Sequence, residues 1–276
     1  MPGIERIEIG RDVTVAVRVW EGSCGSARSE AARTFVYLNG LESHSLWASE
    51  LGEMLSRRGH RFVALDRRGS GANRDLRGGA DDWIGDVIRT CEVERQCNGQ
   101  RPLHLMAQCF GARLAIAAVL RRPDLADSLV LLSPGLQMRV DLTVAEKLLV
   151  GLGQALRLPI RLRSPITDDH MFTNDPPTLR FIGADPLRLK RVRACDFYAG
   201  HVLLRRIRRA AQPLRLPCLA LFTEGDRLVN VPGTIAMLRD LFGQHLTVHS
   251  LSEADHLLLF GRSAQQALDL ILNDAA

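Results

Sequence analysis

The 276 residues, 46% apolar and 24% charged, have the composition of an ordinary globular chain, enough for one large domain or a domain with a sizeable insertion. No apolar run approaches the roughly 18 residues that cross a bilayer, and Met1–Glu8 lacks the apolar core of a secretory signal, so a cytoplasmic protein without a membrane span is expected. The net charge of +5 is uneven, because residues 139–215 carry 15 Lys/Arg against 7 Asp/Glu; with aromatics at 5% and no recognised motif, a nucleic-acid partner is excluded from the expectation.

Two early apolar runs, Ile4–Ile9 and Val13–Trp20, read as an antiparallel pair. Runs at 35–38 and 61–65 flank a helix carrying Trp47, Leu51, Met54 and Leu55, which Gly59 stops. A second helix holds Trp83, Ile84, Val87 and Ile88 and leads to a strand at 103–106. That strand runs into Ala107-Gln108-Cys109-Phe110-Gly111 and then a helical pattern from Ala112. A strand, tight turn and helix in this order make a nucleophile elbow, whose usual form is Gly-x-Ser-x-Gly. Another strand follows at 128–132 and ends at Ser133-Pro134-Gly135.

The alternation of strand and helix stops from about 137 to 210. Thr143-Val-Ala-Glu146 reads as a capping box, opening a helix with Val144, Leu148, Leu149, Leu152 and Leu156 on one stripe; Pro-rich sequence and short helical pieces come next. Residues 137–210 are expected to form an inserted helical cap, and residues 1–136 with 211–276 the core. The cap is also the basic region, densest at Arg188–Arg193 and Arg205–Arg209. Its plainer reading is a solvated surface; its sharper one is a site for a phosphate-bearing or acidic partner. Strands resume at 218–222 and 246–251, with helices at 234–242 and from Ser263. Alternation of this kind implies a mostly parallel sheet flanked by helices.

Three residues sit just beyond three strand ends, where open α/β sheets place their sites. They are Cys109, Asp226 in Gly225-Asp226, and His256 in Asp255-His256. A thiol becomes a strong nucleophile once an imidazole takes its proton or pairs with the thiolate. An acid orients the other ring nitrogen; Asp226 is the candidate, with Glu224 an alternative. The backbone N–H of Phe110, and that of Leu41 in Asn39-Gly40-Leu41, are candidate donors to the oxyanion that forms at an attacked carbonyl. His44, and His170 and Phe172 in the cap, are candidate substrate contacts; His104, inside a strand, reads as a packed core residue. The six cysteines (24, 91, 97, 109, 195 and 218) show no metal-ligand spacing and are expected to be reduced. No metal or cofactor is expected.

These stretches, with Asp66-Arg67-Arg68-Gly69-Ser70-Gly71, resemble the α/β-hydrolases, in the branch of lysophospholipase-like and monoacylglycerol-lipase-like enzymes. The likeness runs over about residues 35–260. It implies Cys109, Asp226 and His256 as nucleophile, acid and base, Leu41 and Phe110 as oxyanion donors, and a lid over an acyl pocket. It departs from the family at Cys109 for serine, Ala107 for the first elbow glycine and Asn39 for a histidine. Hydrolysis of an ester or thioester through an acyl-cysteine is the leading expectation. Acyl transfer from coenzyme A or an acyl carrier protein docked on the basic cap is the second, and a non-catalytic binding protein the third.

Overall fold

Apolar runs and turn residues set the strands where the sequence places them. The computed structural model describes residues 2–10, 13–22, 32–99, 101–252 and 254–274; Cys24 lies outside them. β1 (Gly3–Gly10) and β2 (Val13–Trp20) pair antiparallel, with Ile7 opposite Val15. Then come β3 (Thr34–Leu38), α1 (Ser49–Arg57), β4 (Arg61–Leu65) and α2 (Ala80–Asn98). The elbow joins β5 (Leu103–Gln108) to α3 (Gly111–Arg121), and β6 (Ser128–Leu132) follows. The next stretch holds α4 (Val144–Ala155), β7 (Arg161–Arg163), α5 (Pro176–Ala184), β8 (Arg191–Arg193) and α6 (Ala194–Arg208). The chain returns through β9 (Cys218–Thr223), α7 (Val231–Phe242), β10 (Leu246–Leu251) and α8 (Gly261–Asp274).

Eight strands form one sheet in the order β1-β2-β4-β3-β5-β6-β9-β10, parallel from β4 to β10. The central strands β3, β4, β5 and β6 are buried throughout, as parallel strands covered on both faces must be. One face carries the core of α2, α3 and α7, with Trp83, Ile84, Leu114 and Leu238; the other carries α1 and α8, with Leu51, Leu55, Leu268 and Ile271. This is the α/β-hydrolase fold. No described helix is long and apolar enough to cross a membrane.

The capping box forms as expected, Thr143 Oγ1 accepting from the Glu146 N–H at 3.3 Å while Glu146 Oε2 accepts from the Thr143 N–H at 2.9 Å. The apolar stripe of α4 faces outward, with Val144 77%, Leu148 71% and Leu156 59% exposed. Its buried side is the small one: a Cβ on Gly153 would stand 3.1 Å from that of Ala194. The sequence also suggests only short helical pieces after α4, whereas α6 is a 15-residue helix packed on α3 and α4.

The basic run at 188–193 is not the free field that its charge suggests. Arg188 is buried, pairing with Glu42 at 2.8 Å and Asp169 at 2.7 Å. Arg193 donates to both Asp196 oxygens at 2.9 Å. Arg206 in the second run pairs with Asp81. Arg188→Ala leaves the Glu42 carboxylate buried without its partner, so a loss of about 3–5 kcal/mol of stability is expected. Denaturant unfolding measures it, and a loss under about 1 kcal/mol would show that the pair is dispensable.

Candidate active site

The elbow places Cys109 at φ 49°, a left-handed conformation rare for a side-chain-bearing residue. Neighbouring strands hold it there: the Cys109 N–H donates to Leu132 O at 3.0 Å, and Cys109 O accepts from the Gly135 N–H at 2.9 Å. Gly111 follows because nothing larger fits. A Cβ at 111 would stand 2.4 Å from Leu38 O and 2.8 Å from Asn39 O. Gly111→Ala should therefore cost at least about 2 kcal/mol, seen as a fall in Tm of roughly 2–4 °C per kcal/mol for a chain of this size. An unchanged Tm would mean that the approach of α3 to β3 is not tight.

His256 lies in the loop after β10, 2% exposed, and its Nδ1 is 2.8 Å from Asp226 Oδ2. The other Asp226 oxygen accepts from the N–H groups of Leu228 and Val229, both at 2.8 Å. The backbone of His256 is pinned as well, its carbonyl accepting from Gln108 Nε2 at 2.9 Å. Burial alone would lower the pKa of His256, but the charge on Cys109 and then that of Asp226 raise it to about 10. Burial likewise pushes the Asp226 carboxyl up, and the His256 ring with the two N–H groups brings it below the usual range. His256 Nε2 is buried without a hydrogen-bond partner among the described residues. Glu224, the alternative acid, is exposed.

On the facing loop, Asn39 Nδ2 donates to Ser43 O at 2.5 Å and so curls Asn39–Ser43 beside the elbow. A Cβ on Gly40 would stand 3.7 Å from that of Cys109. Neither the Leu41 nor the Phe110 N–H donates a hydrogen bond among the described residues, so both are available to an oxyanion. Asp66-Arg67-Arg68-Gly69-Ser70-Gly71 is a hydrogen-bonded structural loop: Asp66 accepts from the Ser45 and Ala72 N–H groups, and Arg68 donates to both oxygens of Asp86.

Cys109 and His256 open on a cavity of about 700 Å³ between the strand ends and the segment that joins β6 to β9, within the range of small-molecule sites. Phe172 lines it, 6.2 Å from the His256 ring between centroids. Neither histidine suggested as a substrate contact does. The His44 ring is turned to Asp185, with Nε2 2.8 Å from Oδ2, and His170 is exposed on a short turn of the cap. His104 packs in the core against Phe35 and Ser128. Sequence reasoning missed Gln108, Gln137, Trp47 and Arg113, which also line the cavity. Only Arg113 left a signal, as a charge four residues beyond the cysteine at the start of an otherwise apolar run, 112–120.

A profile of the family described as serine aminopeptidase, S33 matches residues 29–263. A sequence comparison with curated proteins returned no match. Among solved structures, a monoacylglycerol lipase from Paleococcus ferrophilus is similar, with TM-score 0.76 and 18% identity over 87% of this chain and 92% of its own. A soluble variant of monoglyceride lipase from Saccharomyces cerevisiae, bound to a substrate analogue, has TM-score 0.80 and 15% identity over 99% and 93%. The thioesterase domain of the curacin biosynthetic pathway has TM-score 0.64 and 18% identity over 99% of both chains. At these identities the structural likeness is one of fold.

Proposed function

The chain belongs to the serine aminopeptidase S33 family of α/β-hydrolases, and we propose that it cleaves an ester or thioester through a covalent acyl-cysteine. The observation that carries the reading is one site in which Cys109 at the elbow and His256 line the same cavity and Asp226 accepts from the far ring nitrogen of His256 at 2.8 Å. The Cys109 thiolate adds to the substrate carbonyl, forming the S–C bond and moving the π electrons onto oxygen. The Leu41 and Phe110 N–H groups stabilise that oxyanion, each such donor worth about 3 kcal/mol of barrier. Collapse expels the alkoxide or thiolate, which takes the proton from His256. Water then gives a proton to His256 and adds to the acyl carbon, and collapse breaks the S–C bond to release the acid.

The lipase and thioesterase names among the structural neighbours favour hydrolysis of this kind. A second reading ends the cycle on an amine, thiol or alcohol, because an acyl thioester is a good donor. Coenzyme A or an acyl carrier protein would then be the natural source, drawn by the exposed cap residues Lys190, Arg191, Arg205 and Arg209. The registered acid, histidine and thiol speak against a purely binding role.

The test is an intact-mass measurement after mixing with 4-nitrophenyl hexanoate or hexanoyl-coenzyme A. An adduct of one hexanoyl group, localised to Cys109, is expected. No adduct, with turnover unaffected by Cys109→Ala, overturns the proposal. Free acid as the sole product in the presence of amine, thiol and alcohol acceptors removes the transfer reading.

A further inference from the structure

Arg113 takes no part in the chemistry above, yet its position is built. It lies on the first turn of α3, four residues beyond Cys109, and lines the same cavity. Its neighbours Ala112, Leu114 and Ala115 are all buried. The side chain is fixed at its base, with Nε donating to Gly135 O at 2.8 Å and the guanidinium 5.6 Å from the centre of the Phe110 ring. The two terminal nitrogens make no hydrogen bond and no ion pair among the described residues, and the side chain lines the cavity.

Arg113 itself is part-exposed, facing the cavity, whereas among the described residues four buried arginines have their acids: Arg61 with Glu94, Arg68 with Asp86, Arg188 with Glu42 and Arg193 with Asp196. Arg67, buried and without an acid, lies over Trp83 and does not line the cavity. The acids on the cavity wall are already engaged, Asp141 by Lys147 at 2.5 Å and Glu42 by Arg188. His201 and Arg208 add to the basic side. Leu136, Met138, Val140, Val150, Ile166 and Leu204 make much of the remaining wall. Such a cavity suits a guest with an apolar body and one negative group, since a guanidinium with free terminal nitrogens gains from a charge-assisted, two-pronged hydrogen bond, more so once the guest displaces water from the cavity.

We infer that Arg113 anchors an anionic group, a carboxylate or its phosphate-like equivalent, carried by the substrate whose acyl carbon Cys109 attacks. The inference rests on the proposed acyl chemistry for the word substrate, and on geometry alone for the anion. It makes the preferred ester an amphiphile with its charge close to the reacting carbonyl.

Three probes with the same six-carbon acyl length test it: neutral 4-nitrophenyl hexanoate, mono-4-nitrophenyl adipate with the charge on the acyl side, and 4-carboxyphenyl hexanoate with the charge on the leaving group. In Arg113→Met, which keeps the stem over Phe110, kcat/KM for one charged ester relative to the neutral one should fall about tenfold or more, mainly through KM. Which ester suffers identifies the side that carries the anion. Arg113→Lys should retain part of the preference, and it decides the matter if the Met variant fails to fold. In parallel, calorimetric binding of octanesulfonate should weaken about tenfold in Arg113→Met relative to binding of octanol. Ratios within about twofold of the parent for both charged esters, with octanesulfonate affinity unchanged, overturn the anchor. If no ester acylates Cys109 while octanesulfonate binding still depends on Arg113, the chemistry falls and the anion site stands.

Discussion

Replacing Cys109 by alanine is expected to lower acyl-ester turnover about 10³-fold or more and to abolish the covalent adduct. The loss is large because no other thiol among the described residues lines the cavity, and because the fold commits backbone strain to this one at φ 49°. Strain of this kind persists only where the surroundings enforce it. Here they do so through Leu132 O and the Gly135 N–H. Alanine keeps that backbone and the small volume, so the variant should fold and still bind substrate, which separates chemistry from stability. Turnover within about tenfold of the parent would show that water is activated without a covalent step, and would end the acyl-cysteine mechanism.

The second large effect belongs to Asp226. Asp226→Asn keeps the shape of the side chain but removes the charge and, by its amide donor, favours the wrong ring tautomer of His256; a fall of about 10⁴-fold in kcat is expected. The pH behaviour provides an independent check. His256 is raised to about 10 by Cys109 and Asp226 against the opposing effect of burial. Its proton is thus held through neutral pH and lost as pH rises through about 10, where the acid that protonates the leaving group disappears. The alkaline limb of kcat should therefore move to lower pH in Asp226→Asn. Stability follows the same sign: a folded-state value above the unfolded one gives a contribution fully present below about 6.5 and lost as pH climbs to about 10. The denaturant midpoint of the parent should fall across that window more steeply than that of Cys109→Ala. An alkaline limb unmoved by Asp226→Asn would remove the carboxylate from this role.

Much of this site is legible in one dimension because its parts hang on strand ends. Apolar runs locate β5, β9 and β10, and the residues just past each run are Cys109, Asp226 and His256. The elbow is legible for a steric reason: only glycine tolerates position 111, with Leu38 O so close. Other features are not legible, since periodicity gives the spacing of a face without saying what lies opposite. The stripe on α4 has helical spacing yet faces solvent. A run of basic residues looks like surface until its acids arrive from elsewhere, Glu42 for Arg188 and Asp196 for Arg193. His44 sits in the right loop, but Asp185, distant in sequence, turns its ring away from the cavity. Arg113 acquires meaning only once Gly135 fixes its base and no carboxylate meets its tip.

The hydrogen bonds around the elbow have one more consequence. The Cys109 N–H is held by β6, the Ser133 N–H by Leu221 of β9, and the Gly135 N–H by Cys109 itself. These three amides lie between buried central strands, so their exchange with solvent deuterium belongs to the slowest class, governed by opening of the whole sheet. Helix α4, with an apolar stripe turned to water, belongs to a faster one. Heat or denaturant is thus expected to loosen α4 well before the nucleophile loses its geometry, and a chain with a frayed α4 still carries a formed elbow.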